Sequence, residues 1–177
     1  MKIGKRHLKI IKFKIGRAMD IKEYLTKQGI PFKIFIHPPV FTCEEAKEHR
    51  IYKNIRGIHS KNLFLKDRRS KRFYLLIIPE NKTANMDSLS RIVNDKLKFA
   101  SEDNLLEILH LTPGSVSPFG LINDAEHRVE VLIDQEVWES EYLSFHPNIN
   151  TETLELCRED FHKYIETIGN KYRVIER

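Results

Sequence analysis

The sequence predicts a single α+β domain, and three observations carry that expectation. A chain of 177 residues suits one sizeable core rather than two. Segments of strand and helix character alternate irregularly, without the steady strand–helix repeat of a doubly wound sheet. A loop at residues 112–124, TPGSVSPFGLIND, holds two glycines and two prolines of a chain with seven of each. It lies between a helix-like segment and a strand-like one. Backbone N–H groups held in such a curve suit an oxyanion, a carbonyl or a phosphate, while a tight structural turn explains the same residues as well.

Composition excludes several classes. The hydrophobic fraction is 41% and the charged fraction 31%, ordinary values for a water-soluble domain. No apolar run approaches the roughly 18 residues of a membrane span. Cys43 and Cys157 form no CxxC pair, which argues against a disulfide scaffold and a zinc-thiolate site and for a reducing compartment. The eight histidines include no HExxH spacing. The formal net charge is +5, but residues 1–18 hold seven cations and no acid, so the remainder carries 23 cations against 25 acids. Basicity belongs to this arm, which reads as an extension outside the core. Lysines interrupt its apolar runs, unlike a secretory signal. Residues 19–170 then form the domain, and 171–177 a tail.

Along the domain, Asp20 caps a helix carrying Ile21, Tyr24 and Leu25 and ending at Gly29. Residues 32–36 read as a strand, followed by an extended His37-Pro38-Pro39 segment. Thr42 and Glu45 form a capping box for a helix reaching about Arg50. Residues 61–66 and 72–78 flank a polar turn and read as a hairpin of largely buried strands. Helical patterns cover 87–95 and 101–111. Strands are expected at 129–134, 143–146 and 153–156. Phe161, Tyr164, Ile165 and Ile168 then mark a last helix, stopped by Gly169.

Candidate chemistry is sparse. Lys61 beside Asn62 opens a buried strand, where a lysine serves either as a fixed cation near a substrate or as a solvated strand end. His146, between Phe145 and Pro147, either lines a pocket or is satisfied by backbone groups. His37 offers the same choice more weakly. Cys43 falls in an expected first helical turn, where a thiolate is favoured, yet a packed cysteine explains it as well. No P-loop, dinucleotide fingerprint or nucleophile–base order is present. Residues alone therefore reach an α+β domain with one backbone-lined site.

Four ordered segments carry a resemblance: HPPVFTCEEA (37–46), SKNLFLKD (60–67), TPGSVSPFGLIND (112–124) and FHPNINTETL (145–154). Together they closely resemble the YbaK/ProX superfamily of aminoacyl-tRNA editing domains, and within it the freestanding prolyl-tRNA editing group. The resemblance covers about residues 20–170 and leaves the basic arm unexplained. It implies a mixed or antiparallel sheet curled into a pseudo-barrel with helices around it. It implies a cytoplasmic deacylase that hydrolyses the ester of a mischarged tRNA, with alanyl-tRNA(Pro) as the expected substrate. A pocket shaped for proline rejects the smaller alanine by only about 1–3 kcal/mol, so a second sieve is needed.

The resemblance also assigns residues. The family's GxxxP loop corresponds to Gly114, Ser115, Val116, Ser117 and Pro118, its lysine to Lys61, and the histidine of its FHP motif to His146. Gly114 and Lys61 would then be catalytic. Ile36, Thr42, Asn62, Ser115, Val116, Ser117, Pro118 and His146 would bind substrate. No metal or cofactor is implied. Mischarged tRNA is the expected partner, with prolyl-tRNA synthetase as a second and no membrane. Clearance of cysteinyl- or seryl-tRNA, or a non-catalytic tRNA- or synthetase-binding role, remain the alternatives.

Overall fold

In the computed structural model, residues 20–39, 51–69 and 71–176 are described. The basic arm, Thr42, Cys43 and the helix expected to follow them lie outside these residues.

The strands are β1 (Lys33–Ile36), β2 (Ile58–Asp67), β3 (Phe73–Pro79), β4 (Leu97–Phe99), β5 (Val129–Asp134), β6 (Tyr142–Phe145), β7 (Glu152–Cys157) and β8 (Tyr172–Ile175). They form one mixed sheet in the order β1-β7-β6-β2-β3-β5-β8, with β4 attached to β2. The sheet is open, because its path ends at β1 and β8 without their pairing. The helices are α1 (Ile21–Lys27), α2 (Met86–Val93), α3 (Glu102–Leu109), α4 (Gln135–Glu139) and α5 (Arg158–Thr167). The α+β class read from the sequence is the observed one.

Local chemistry explains the helix ends. Asp20 accepts from the Lys22 N–H at 2.8 Å, Asn85 from Ser88 at 3.0 Å and Ser101 from Asn104 at 3.2 Å. Asn94 and His110 end α2 and α3 in the left-handed region. In α3, Leu105, Ile108 and Leu109 share one buried face. Phe161, Tyr164 and Ile165 do the same in α5.

β3 shows why its sequence reads as an unbroken apolar run. Phe73, Leu75 and Ile77 enter the main core with Phe64, Val129, Val131 and Phe119. Tyr74, Leu76 and Ile78 enter a second cluster with Leu65, Leu89 and Leu132. Both faces of the strand are covered, so both sets must be apolar. Three elements escaped sequence reading: β4, α4 and β8. Each is short, and β8 leaves Tyr172 and Val174 more than a third exposed, so its pattern carries little apolar contrast.

β2 is the strand where three neighbours meet. On one side it pairs with β3 from Ser60 to Lys66. On the other it pairs with β6 through Ile58 and His59, and with β4 through Leu65 to Asp67. Between those two partners, residues 60–63 present an edge to which no strand is paired among the described residues.

Candidate active site

The loop at 112–118 meets β2 at Asn62, within that stretch. Its first turn is closed locally: the Ser115 N–H donates to the Thr112 carbonyl at 3.0 Å, and the Ser115 hydroxyl donates to the same oxygen at 2.7 Å. The Thr112 N–H in turn donates to the Ser115 hydroxyl at 3.0 Å. Gly114 makes this turn with φ +84°, and a Cβ there would meet no atom within 4 Å. Glycine is needed here for its backbone angle, while the space beside it is open.

The far end of the loop is anchored in the core. Ser117 is fully buried; its hydroxyl donates to the His146 carbonyl at 2.8 Å and accepts from the Phe119 N–H at 3.3 Å. Pro118 opens a 3-10 turn (Pro118–Asn123), and its carbonyl accepts from the buried Tyr164 hydroxyl at 2.8 Å. Phe119 meets Phe145 and Tyr164 edge-on, at centroid distances of 5.7 and 5.3 Å. One end of the loop is therefore held by its own turn and the other by aromatic packing.

The middle is held from below. The Asn62 amide donates to the Val116 carbonyl at 3.1 Å. His146 Nε2 reaches the same oxygen at 3.2 Å. A carbonyl only accepts, so Nε2 carries the proton and Nδ1 is a bare acceptor. That Nδ1 and Asn62 Oδ1 are both buried, with no partner among the described residues. Burial lowers the His146 pKa to about 4, the bond to Val116 opposes this weakly, and neighbouring His37 adds to the lowering. His146 is thus neutral at physiological pH.

With these bonds assigned, the Ser115 N–H is already spent on Thr112. Among the described residues, no group accepts from the N–H of Gly114, Val116 or Ser117. Backbone donors and buried side-chain acceptors thus face the same place, which suits it to a polar ligand. It offers donors for an oxyanion and acceptors for an ammonium or hydroxyl.

The structure brings together Asn62, Gly114, Ser115, Val116, Ser117, Pro118 and His146. Lys61 is adjacent in sequence but its pleat differs. It is registered with Ile78 of the second cluster, whereas Asn62 is registered with Ile77 of the main core. Among the described residues Lys61 has no hydrogen-bond or ion-pair partner. Ile36, last in β1, is 84% exposed at the sheet edge. Thr42 lies outside the described residues.

Sequence reasoning underweighted His37. Its Nδ1 donates to the Pro38 carbonyl at 2.8 Å, which leaves Nε2 to accept from the Thr153 hydroxyl at 3.0 Å. It thereby ties the extended 37–39 segment to β7, next to His146. Asn148 was also missed. It sits at φ +64° and donates to the Phe119 carbonyl at 3.4 Å, and its Oδ1 is buried with no partner among the described residues. The clues to them were a neighbouring proline and their place in the segments 37–46 and 145–154 that carry the resemblance.

Residues 37–164 match the aminoacyl-tRNA editing domain family. The prolyl-tRNA editing protein ProX of Acetoanaerobium sticklandii is 38% identical over 163 residues, covering 89% of this chain and 98% of its own. The prolyl-tRNA synthetase associated domain-containing protein 1 of Mus musculus is 31% identical over 156 residues, covering 85% and 90%. A solved structure described as a candidate trans-editing enzyme for prolyl-tRNA synthetase superposes with a TM-score of 0.67, covering 90% of this chain and 96% of its own. At 13% identity that likeness speaks to the fold alone. On its motifs, its open-edged sheet and these matches, the chain belongs to the aminoacyl-tRNA editing domain family.

Proposed function

We propose that the protein is a trans-editing deacylase that hydrolyses alanyl-tRNA(Pro). The observation that carries this reading is the double tie on the Val116 carbonyl, which holds unpaired N–H donors of a Gly–Pro loop beside a neutral His146. The name of the Acetoanaerobium sticklandii relative supports prolyl-tRNA as the substrate class.

In this reading the ester carbonyl lies against the loop, and the N–H groups of Gly114, Val116 and Ser117 stabilise its developing negative charge. The bare Nδ1 of His146 accepts from the α-ammonium of the amino acid. Lys61 has no acidic partner among the described residues; it stands on the opposite pleat from Asn62, so in this reading its flexible four-carbon stem turns round the strand for the ammonium to hold the terminal phosphate or the carbonyl. Water adds to the carbonyl carbon while the free ribose hydroxyl of the terminal adenosine takes a proton from it and passes its own proton to the neighbouring ester oxygen. The bond from the carbonyl carbon to that oxygen then breaks, and the oxygen leaves as a hydroxyl. Free amino acid and intact tRNA are the products. The chemistry asks for no redox partner.

The experiment is a panel of alanyl-, cysteinyl- and seryl-tRNA(Pro) with wild-type and Lys61→Ala proteins. Rapid release of alanine by wild type, and its loss in Lys61→Ala with the fold intact, is the expected pattern. Preference for cysteine or serine would replace the substrate. An unchanged rate in Lys61→Ala would remove the lysine from the mechanism.

A further inference from the structure

The strand that carries Asn62 ends in a cluster of cations. Residues 66–72 and 95–98 hold seven cations and two acids, a balance of +5 within eleven positions. The fold joins the two segments. The Arg68 N–H donates to the Lys96 carbonyl at 3.1 Å, and Lys66 stands directly opposite Lys98 across the β2–β4 pair.

The two acids are withdrawn from the surface. Asp67 is 2% exposed and accepts from the Arg72 N–H at 3.1 Å and the Tyr74 hydroxyl at 3.4 Å. Asp95 accepts from the N–H groups of Arg69 and Lys96 at 3.1 and 2.7 Å. Its nearest ion-pair contact is the Arg69 Nε at 3.9 Å, and the Arg69 side chain is 86% exposed. Arg68, Lys71, Arg72, Lys96 and Lys98 are exposed. Like charges facing across a strand pair are unfavourable in the free protein, so Lys66 and Lys98 gain from an anion that bridges them.

We propose that this tip is the surface that takes the sugar–phosphate backbone of the tRNA's paired stem. The inference rests on the editing reading, which places the aminoacylated 3′ end at Asn62. Along β2, Lys66 to Arg68 lie about 13–20 Å from Asn62 at the usual strand rise. A stem leading away from the site therefore passes the cluster within its first turns. Three arginines in the tip supply planar forks that match phosphate oxygens. The contacts are with backbone phosphates, so they set affinity and orientation and leave sequence unread.

The test uses the full chain, arm included, and uncharged tRNA(Pro) transcript, with fluorescence anisotropy across a salt series. An Arg68→Ala/Lys96→Ala/Lys98→Ala variant is compared with wild type. A Lys27→Ala/Lys53→Ala/Lys171→Ala variant removes equal charge elsewhere, and melting curves confirm that both fold. The tip variant is expected to bind about tenfold or more weakly at low salt. Its slope of log affinity against log salt should be shallower by about one unit per lost contact. In deacylation its KM should rise with kcat unchanged.

Wild-type affinity and slope in the tip variant overturn the proposal, as does an equal loss in the control. Retained tRNA binding with lost binding to phosphatidylserine vesicles would assign the tip to a membrane and overturn it too. Anisotropy with uncharged tRNA reads the surface whether or not any ester is cut. Absence of deacylation with a tip-dependent salt slope thus overturns the catalytic reading alone.

Discussion

Asn62 and His146 donate to the same acceptor, the Val116 carbonyl, at 3.1 and 3.2 Å. One lies in the middle of β2 and the other just past β6, and the loop between α3 and β5 meets them there. The two bonds fix one peptide plane from two directions, which also fixes where the adjoining N–H groups point. They should act as a unit. Asn62→Ala and His146→Ala, measured singly and together, are expected to lose more activity singly than additivity allows. A coupling energy of about 0.5–3 kcal/mol in the double-mutant cycle is the expected size. Strict additivity in kcat/KM would mean that the two residues act independently.

Ser117 is a structural counterpart on the same loop. Ser117→Ala leaves the His146 carbonyl and the Phe119 N–H without their buried partner, at a cost of about 1–3 kcal/mol. Urea denaturation should show this as a lower midpoint with an unchanged slope.

Two glycines should separate folding from function. Both have positive φ, +83° at Gly57 and +84° at Gly114. A Cβ at Gly57 would lie 1.9 Å from the Tyr142 carbonyl oxygen, so Gly57→Ala should destabilise the fold by more than about 2 kcal/mol. At Gly114 nothing lies within 4 Å, so Gly114→Ala meets only the backbone strain of about 1–2 kcal/mol. If the loop binds the ester carbonyl, Gly114→Ala lowers kcat far more than it lowers the melting temperature. Equal, small effects on both would make 112–115 a plain turn.

The His146 pKa of about 4 is a statement about acid stability. The unfolded imidazole binds a proton near pH 6.5, and the folded one does not until about pH 4. Between these values the unfolded state holds more protons, so stability falls as the pH drops, by up to about 3 kcal/mol from this group. Above pH 6.5 the group contributes no slope. An NMR titration of the ring should place its midpoint near 4. His146→Gln should flatten the stability profile between pH 6.5 and 4, and a midpoint near 6.5 would show the ring to be solvated.

The sequence by itself determined much of the scaffold, because local rules and burial pattern agree there. Asp20 caps its helix as read, Val129–Asp134 is the strand expected, and the run of β3 is apolar because both faces are covered. The identity of the loop was also legible, since Gly114 and Pro118 constrain backbone angles that no neighbour can supply. What only the tertiary structure decided is which donors and acceptors remain free. Ser115 spends its N–H on Thr112, Asn62 and His146 spend theirs on Val116, and His37 ties itself to Thr153. The pleat likewise separates Lys61 from Asn62, although they are neighbours in sequence. These are pairings between residues far apart in the chain, and they arise from where β2, β6 and β7 meet. Periodicity and turn chemistry describe each segment alone, so they identify a loop that can bind an oxyanion but not the side chains that hold it in place.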